Sequence, residues 1–150
     1  MNRRHLIMTA AAASLLLPPA AGWAAARVVV YKTAACGCCE GWIKHMNENG
    51  FRVTARDVSF ETLMQRKRAV GLKPEQSSCH TGEVGGYIIE GHVPAQDVVR
   101  LLKERPIAIG LAVPDMPLGS PGMDLDNTTE PYSVLLIRKD STAEVFANYP

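Results

Sequence analysis

The sequence predicts an α/β domain, and three observations carry the prediction. Short apolar runs rich in β-branched and aromatic residues alternate with runs whose apolar residues recur at helical spacing. Glycine or proline marks most of the changes between them, as at Gly50, Gly71, Pro74, Gly91, Pro94 and Pro106. Three of the four cysteines fall in the run Cys36-Gly37-Cys38-Cys39, where the first strand hands over to the first helix.

Residues 1–26 stand apart, with Arg3 and Arg4, an apolar run from Leu6 to Leu17, and small residues ending Trp23-Ala24-Ala25-Ala26. They read as a secretory signal peptide, because the apolar run is shorter than the roughly 20 residues a spanning helix needs and the A-x-A pattern suits cleavage. Arg3-Arg4 followed by His5-Leu6-Ile7 also resembles a twin-arginine signal, the route for folded or metal-loaded proteins. Residues 27–150 then make a single domain. Removing the leader takes away two arginines and no acid, leaving acidic residues one ahead of basic ones. Near-neutral charge without a basic stripe argues against nucleic acid and polybasic membrane contacts, and no second long apolar run follows. Export permits disulfides, and four cysteines allow three pairings.

Arg27 to Lys32 is a continuous β-branched run and reads as a buried strand, followed by the cysteine loop Thr33 to Cys39. A helix is expected from about Cys38 to Asn49, because Cys39, Trp42, Ile43 and Met46 lie at i, i+3, i+4 and i+7 on one stripe, and Gly50 stops it. Cys39 shares the buried stripe, whereas Cys36 is expected to be exposed ahead of the helix. Phe51 to Val58 alternates as a second strand, and Asp57 and Ser59 lead into a helix from about Phe60 to Val70, whose Arg66-Lys67-Arg68 reads as a solvated face. Glu75 to Gly85 reads as a polar connection carrying Cys79 and His80. Gly86 to Glu90 is the third strand, Pro94 opens a helix over Ala95 to Glu104, and Pro106 closes it. Ile107 to Asp126 is a long Pro/Gly loop holding Met116 and Met123. Tyr132 to Arg138 and Ala143 to Tyr149 form a C-terminal β-hairpin. The order resembles a thioredoxin-like βαβ start with a central mixed sheet flanked by helices, and Cys36 to Cys39 contains that fold's C-x-x-C at its usual place. The proline that thioredoxin-like redox enzymes carry before the third strand is missing from Glu83-Val84-Gly85-Gly86.

A thiolate at a helix N-terminus is stabilised by unpaired backbone N–H groups and the helix dipole. A redox pair needs only two thiols, and Cys38-Cys39 would make a strained vicinal bridge, so the third thiol favours a metal. A dense thiolate cluster with thioether neighbours suits a soft ion, Cu(I). The competing reading pairs Cys36 with Cys39 or Cys79 in a structural disulfide. Cys79 reads as a fourth ligand, and His80 reads equally as a ligand or an exposed histidine. Met116 and Met123 read equally as thioether ligands or as anchors of their loop. Trp42, Met46 and Met64 read as packing, His45 as solvated and His92 as a structural turn histidine.

Cys36-Gly37-Cys38-Cys39, Ser78-Cys79-His80-Thr81, Gly86-Tyr87-Ile88-Ile89-Glu90-Gly91-His92-Val93-Pro94 and Met116-Pro117-Leu118-Gly119-Ser120-Pro121-Gly122-Met123 together resemble the CopG-type family. These are exported bacterial proteins, long grouped as a domain of unknown function and found with copper-resistance systems. The resemblance covers nearly all of residues 27–150. It implies a thioredoxin-like fold in the periplasm whose Cys36, Cys38, Cys39 and Cys79 hold copper, as a small multinuclear Cu(I)-thiolate cluster that also undergoes redox change. The partners implied are copper ions and other periplasmic copper-resistance or efflux proteins. One departure is Asp115, where glycine is expected before Met-Pro. The alternative activity is thiol-disulfide exchange, with Cys36 as nucleophile and Cys39 resolving.

Overall fold

Strand β1 (Arg27–Lys32) lies inside the sheet because its side chains are apolar on one face and half-buried on the other: Val28 and Val30 are fully buried, and Val29 and Tyr31 partly so. In this computed structural model, which describes residues 26–124 and 128–150, a seven-stranded mixed sheet runs β2-β1-β3-β4-β5-β6-β7. The expected leader lies outside the described residues except for Ala26, as do Leu125 and Asp126 of the long loop. No helix among the described residues is long and apolar enough to cross a membrane.

The opening unit is βαβ, as expected. Helix α1 (Gly37–Glu48) connects β1 to the parallel strand β2 (Arg52–Asp57), and its buried residues Cys39, Trp42 and Met46 fall on the stripe read from their spacing. β2 is an edge strand, so only Val53 is shielded and Ala55 is exposed. Helix α2 (Phe60–Ala69) is N-capped by Ser59, whose hydroxyl accepts the Thr62 N–H at 3.1 Å.

The connection expected over Glu75 to Gly85 is corrected: after a 3-10 turn at Pro74–Gln76 it contains strand β3 (Thr81–Val84). β3 pairs antiparallel with β1 and, through Gly85-Gly86, with β4 (Tyr87–Glu90), Thr81 opposite Glu90 and Val84 opposite Tyr87. Both turn glycines have positive φ, 56° and 88°, as a tight two-residue hairpin turn requires. The loop leading into the third strand is therefore Ser77–His80 and not Glu83–Gly86, and it carries Cys79 where no proline stands.

Helix α3 (Ala95–Glu104) follows Pro94 and ends at Arg105, in left-handed conformation with φ 52°. The long loop expected over Ile107 to Asp126 begins as strand β5 (Gly110–Ala112), parallel to β4, a second correction. β6 (Tyr132–Ile137) and β7 (Ala143–Tyr149) form the expected hairpin, with an irregularity at Val134/Leu135.

Helices α1 and α3 cover one face of the sheet around Val28, Val30, Trp42, Met46, Ile89, Val98, Leu101 and Leu111. α2 covers part of the other, beside a smaller cluster of Leu72, Ile109, Ala112 and Ile137. Lys67 belongs to that second interior and not to a solvated face: it is 2% exposed and ion-paired with Glu90 of β4, which is fully buried. Its neighbour Arg66 stacks over Tyr31, 3.5 Å from the ring centre. Met64, expected in the core, is half-buried.

Candidate metal centre

β1 turns into α1 through Thr33–Ala35, closed by the Cys36 N–H to Thr33 O at 3.2 Å. Cys36 is therefore the residue preceding the helix, with Cys38 and Cys39 in its first turn near the unpaired N–H groups. Cys39 is fully buried on the core stripe; Cys36, expected exposed, is half-buried like Cys38. Lys32, at the end of β1, anchors this turn from below, its Nζ 2.8 Å from Glu40 in α1 and 2.8 Å from Asp57 in β2.

The Ser77–His80 loop brings Cys79 over from the neighbouring strand. Cys36 and Cys39 are joined as a disulfide, and Cys38 and Cys79 are free thiols. Around the ring of four sulfurs, Cys36 to Cys38 is 3.7 Å, Cys38 to Cys79 is 3.7 Å and Cys79 to Cys39 is 3.6 Å. Met116 Sδ lies 4.0 Å from Cys38 Sγ, at the open rim.

Two imidazoles complete the inner side. His80, fully buried, has Nδ1 at 3.3 Å from Cys79 Sγ, and its Nε2 has no hydrogen-bond partner among the described residues despite its burial. Its ring is wedged between Trp42, at 4.5 Å between centres, and His92, at 5.1 Å. His92, read from the sequence as structural, is also fully buried, and its Nε2 lies 3.1 Å from Cys79 Sγ. Its Nδ1 is 2.8 Å from the Pro121 carbonyl, which can only accept, so Nδ1 carries the proton and the Nε2 lone pair of the neutral ring faces the sulfur. The signal in the sequence was its place: two residues past the buried β4, at the end of the sheet that carries Cys79.

The Pro/Gly/Met loop closes the site without side-chain bulk. A Cβ on Gly122 would meet Trp42 N at 2.5 Å and Cys38 O at 2.7 Å, and one on Gly41 would meet Gly122 Cα at 2.7 Å. Only glycines let loop and helix backbones approach this closely. Met123 contributes its backbone, donating to Ser120 O at 2.8 Å and accepting from Gly119 N at 3.0 Å. The structure thus brings together Cys36, Cys38, Cys39, Cys79, His80, His92 and Met116, and places Met123 in the loop's turn. His45, expected to be solvated, is half-buried and accepts the Ala95 N–H on Nε2 at 3.0 Å, tying α1 to α3.

Burial sets the protonation of this centre. It pushes the Cys79 thiol up to about 12, with the neighbouring Cys38 adding to the rise. Burial holds His80 well below 6.5, helped by His92 and Lys67, and burial also holds His92 below it. The imidazoles are therefore neutral and able to donate to a metal, and a cation that displaced the Cys79 proton would relieve the cost of its burial. Cys36, Cys38, Cys39 and Cys79 form one cluster with metal-ligand spacing, and Cys79, His80 and His92 form another that shares Cys79.

A family described as a protein of unknown function, DUF411, matches residues 76–123, the stretch holding Cys79, His80, His92 and Met116. No curated protein matches the sequence. Solved structures of copper resistance protein CopG, in forms 1 and 2, are 41% and 42% identical to it, each with a TM-score of 0.77. Each match covers 83% of this chain and 98% of the other. Identity at that level, over almost the whole of the relatives, means that the chain belongs to the CopG family of copper resistance proteins.

Proposed function

We propose that this protein is a periplasmic, thioredoxin-like copper protein that holds Cu(I) through Cys36, Cys38, Cys39 and Cys79, for sequestration, transfer or redox conversion in copper resistance. The observation that carries the reading is the ring of four sulfurs, assembled from two distant segments, with the Met116 thioether at its rim. Soft donors in this density favour Cu(I) over harder ions. The leader read over residues 1–26 supports export, and the order β2-β1-β3-β4 with α1 between the parallel strands supports the thioredoxin-like description.

With copper as cargo, the chain's own groups have separable tasks. Cys38 and Cys79 are the free thiols, and reducing the Cys36–Cys39 disulfide supplies the other two. That reduction takes two electrons and two protons from an external dithiol, which is itself oxidised to its disulfide, so Cu(I) loading is linked to the thiol oxidation state. His92 offers its Nε2 lone pair beside Cys79, and Met116 covers the rim.

The test is an anaerobic Cu(I) titration of the reduced protein against a competing chelator, repeated with Cys38→Ser and Cys79→Ser. Binding weakened by at least about tenfold in both variants is expected. Binding no tighter than that of a simple dithiol, and indifferent to both substitutions, would sink the copper reading. The Cys36–Cys39 disulfide favours a second reading, thiol-disulfide exchange, which requires dithiol turnover that survives Cys38→Ser.

A further inference from the structure

Resting on that copper reading, we propose that Glu90 and Lys67 are positioning residues of the sulfur centre: the buried carboxylate grips both ends of the segment Cys79-His80 and so sets where the Cys79 sulfur stands. Glu90 Oε1 accepts the Ser78 N–H at 2.7 Å, and Oε2 accepts the Thr81 hydroxyl at 2.7 Å. Ser78 and Thr81 are the residues immediately before and after Cys79-His80. Lys67 bonds to Glu90 Oε1 and donates to the Thr81 hydroxyl at 3.0 Å, which fixes the direction in which that hydroxyl points.

The pair is an odd device if stability were its only task. Lys67 and Glu90 side chains are 2% and 0% exposed, and a buried ion pair is often no more stabilising than well-packed apolar residues of similar volume. Its hydrogen bonds, by contrast, are charge-assisted and directional. The segment it grips has no regular structure, lying between the 3-10 turn ending at Gln76 and β3 beginning at Thr81. Its other backbone tie is the Gly91 N–H to His80 O at 3.0 Å. Ser78 also donates its hydroxyl to the Asp115 carbonyl, and Asp115 N–H bonds to Ser77 O at 3.1 Å. The residue anchored by Glu90 therefore tethers the loop that bears Met116, and one carboxylate orders donors on both sides of the sulfur ring.

The test replaces both charges in the full chain, Lys67→Met with Glu90→Leu, so that neither is left unpaired. Three quantities are read: the melting temperature, the rate at which a haloacetamide alkylates Cys79 and Cys38 in the reduced metal-free protein, and Cu(I) affinity by chelator competition. A melting temperature at or above the parent's is expected, with Cys79 alkylated several-fold faster, Cys38 unchanged, and Cu(I) affinity lower by about 10–100-fold. A folded double variant with parental Cys79 reactivity and parental Cu(I) affinity overturns the proposal. If the double variant does not fold, Thr81→Val removes only the hydroxyl; faster Cys79 alkylation supports the proposal and an unchanged rate overturns it. Should the parent bind no Cu(I) tightly, the copper reading fails, and the metal-free alkylation rates still decide the positioning role.

Discussion

Cys79 sits where the two clusters of donor side chains meet, in contact with two other cysteine sulfurs and both buried imidazoles. Its placement depends on residues that never touch a metal, and Lys67 shows how strongly. Lys67→Met alone leaves the Glu90 carboxylate buried without its counter-charge, an expected loss of about 3–5 kcal/mol. Urea denaturation measures it, and a loss within experimental error would mean that water reaches Glu90. Local sequence gave Lys67 the look of a surface residue, flanked by Arg66 and Arg68. The overlooked signal was Leu63 one turn earlier, which puts Lys67 on the buried stripe of α2. His92 was missed for a related reason: a lone histidine in a Gly-His-Val-Pro turn says nothing about its partner until β3 and β4 are paired. The C-x-C-C spacing, in contrast, is local, and one turn of helix is enough to bring its three sulfurs together.

Among the elements, helix α1 and the Pro/Gly/Met loop meet backbone to backbone at Gly41 and Gly122. Gly122→Ala puts a methyl group against Trp42 N and Cys38 O at a residue whose φ is +90°, and an expected cost of about 1–3 kcal/mol follows from the overpacking. Thermal melting reports the loss, and faster peroxide oxidation of Met116 reports the displaced loop; a melt and an oxidation rate equal to the parent's would mean that the two backbones are not held this closely. The helices and the C-terminal hairpin were legible because each carries its own period. β3 and β5 were not. Thr81-Gly82-Glu83-Val84 has little apolar content of its own, and β5 has only three residues, so both are strands by virtue of the neighbours that pair with them.

At the scale of the whole molecule, burial lowers the pKa of His45, His80 and His92 below 6.5, so at these three rings acid favours the unfolded chain, whereas burial raises Glu90 and Asp97 and acts there in the opposite sense. The sign follows from proton uptake: below that value the unfolded state binds protons that the folded state refuses, and stability present above pH 6.5 is lost as pH falls. A melting temperature that drops between pH 7 and about 5, with a smaller drop in His45→Gln, is the expected result; a drop in His45→Gln equal to the parent's would contradict the burial of that ring. Copper should act in the opposite direction, since a ligand held only by the folded state adds about 2.7 kcal/mol at a hundredfold excess over its Kd. The Gly85-Gly86 turn lies at the other end of the β3–β4 hairpin from the sulfurs, yet it fixes Thr81 opposite Glu90. Strand side chains alternate between faces, so losing one glycine there would turn Glu90 away from Lys67 and carry His92 out of line with Cys79. Chain length at a solvent-exposed turn is in this sense part of the geometry of the sulfur cluster, and the cluster would be more vulnerable to a one-residue deletion at its far end than to most substitutions beside it.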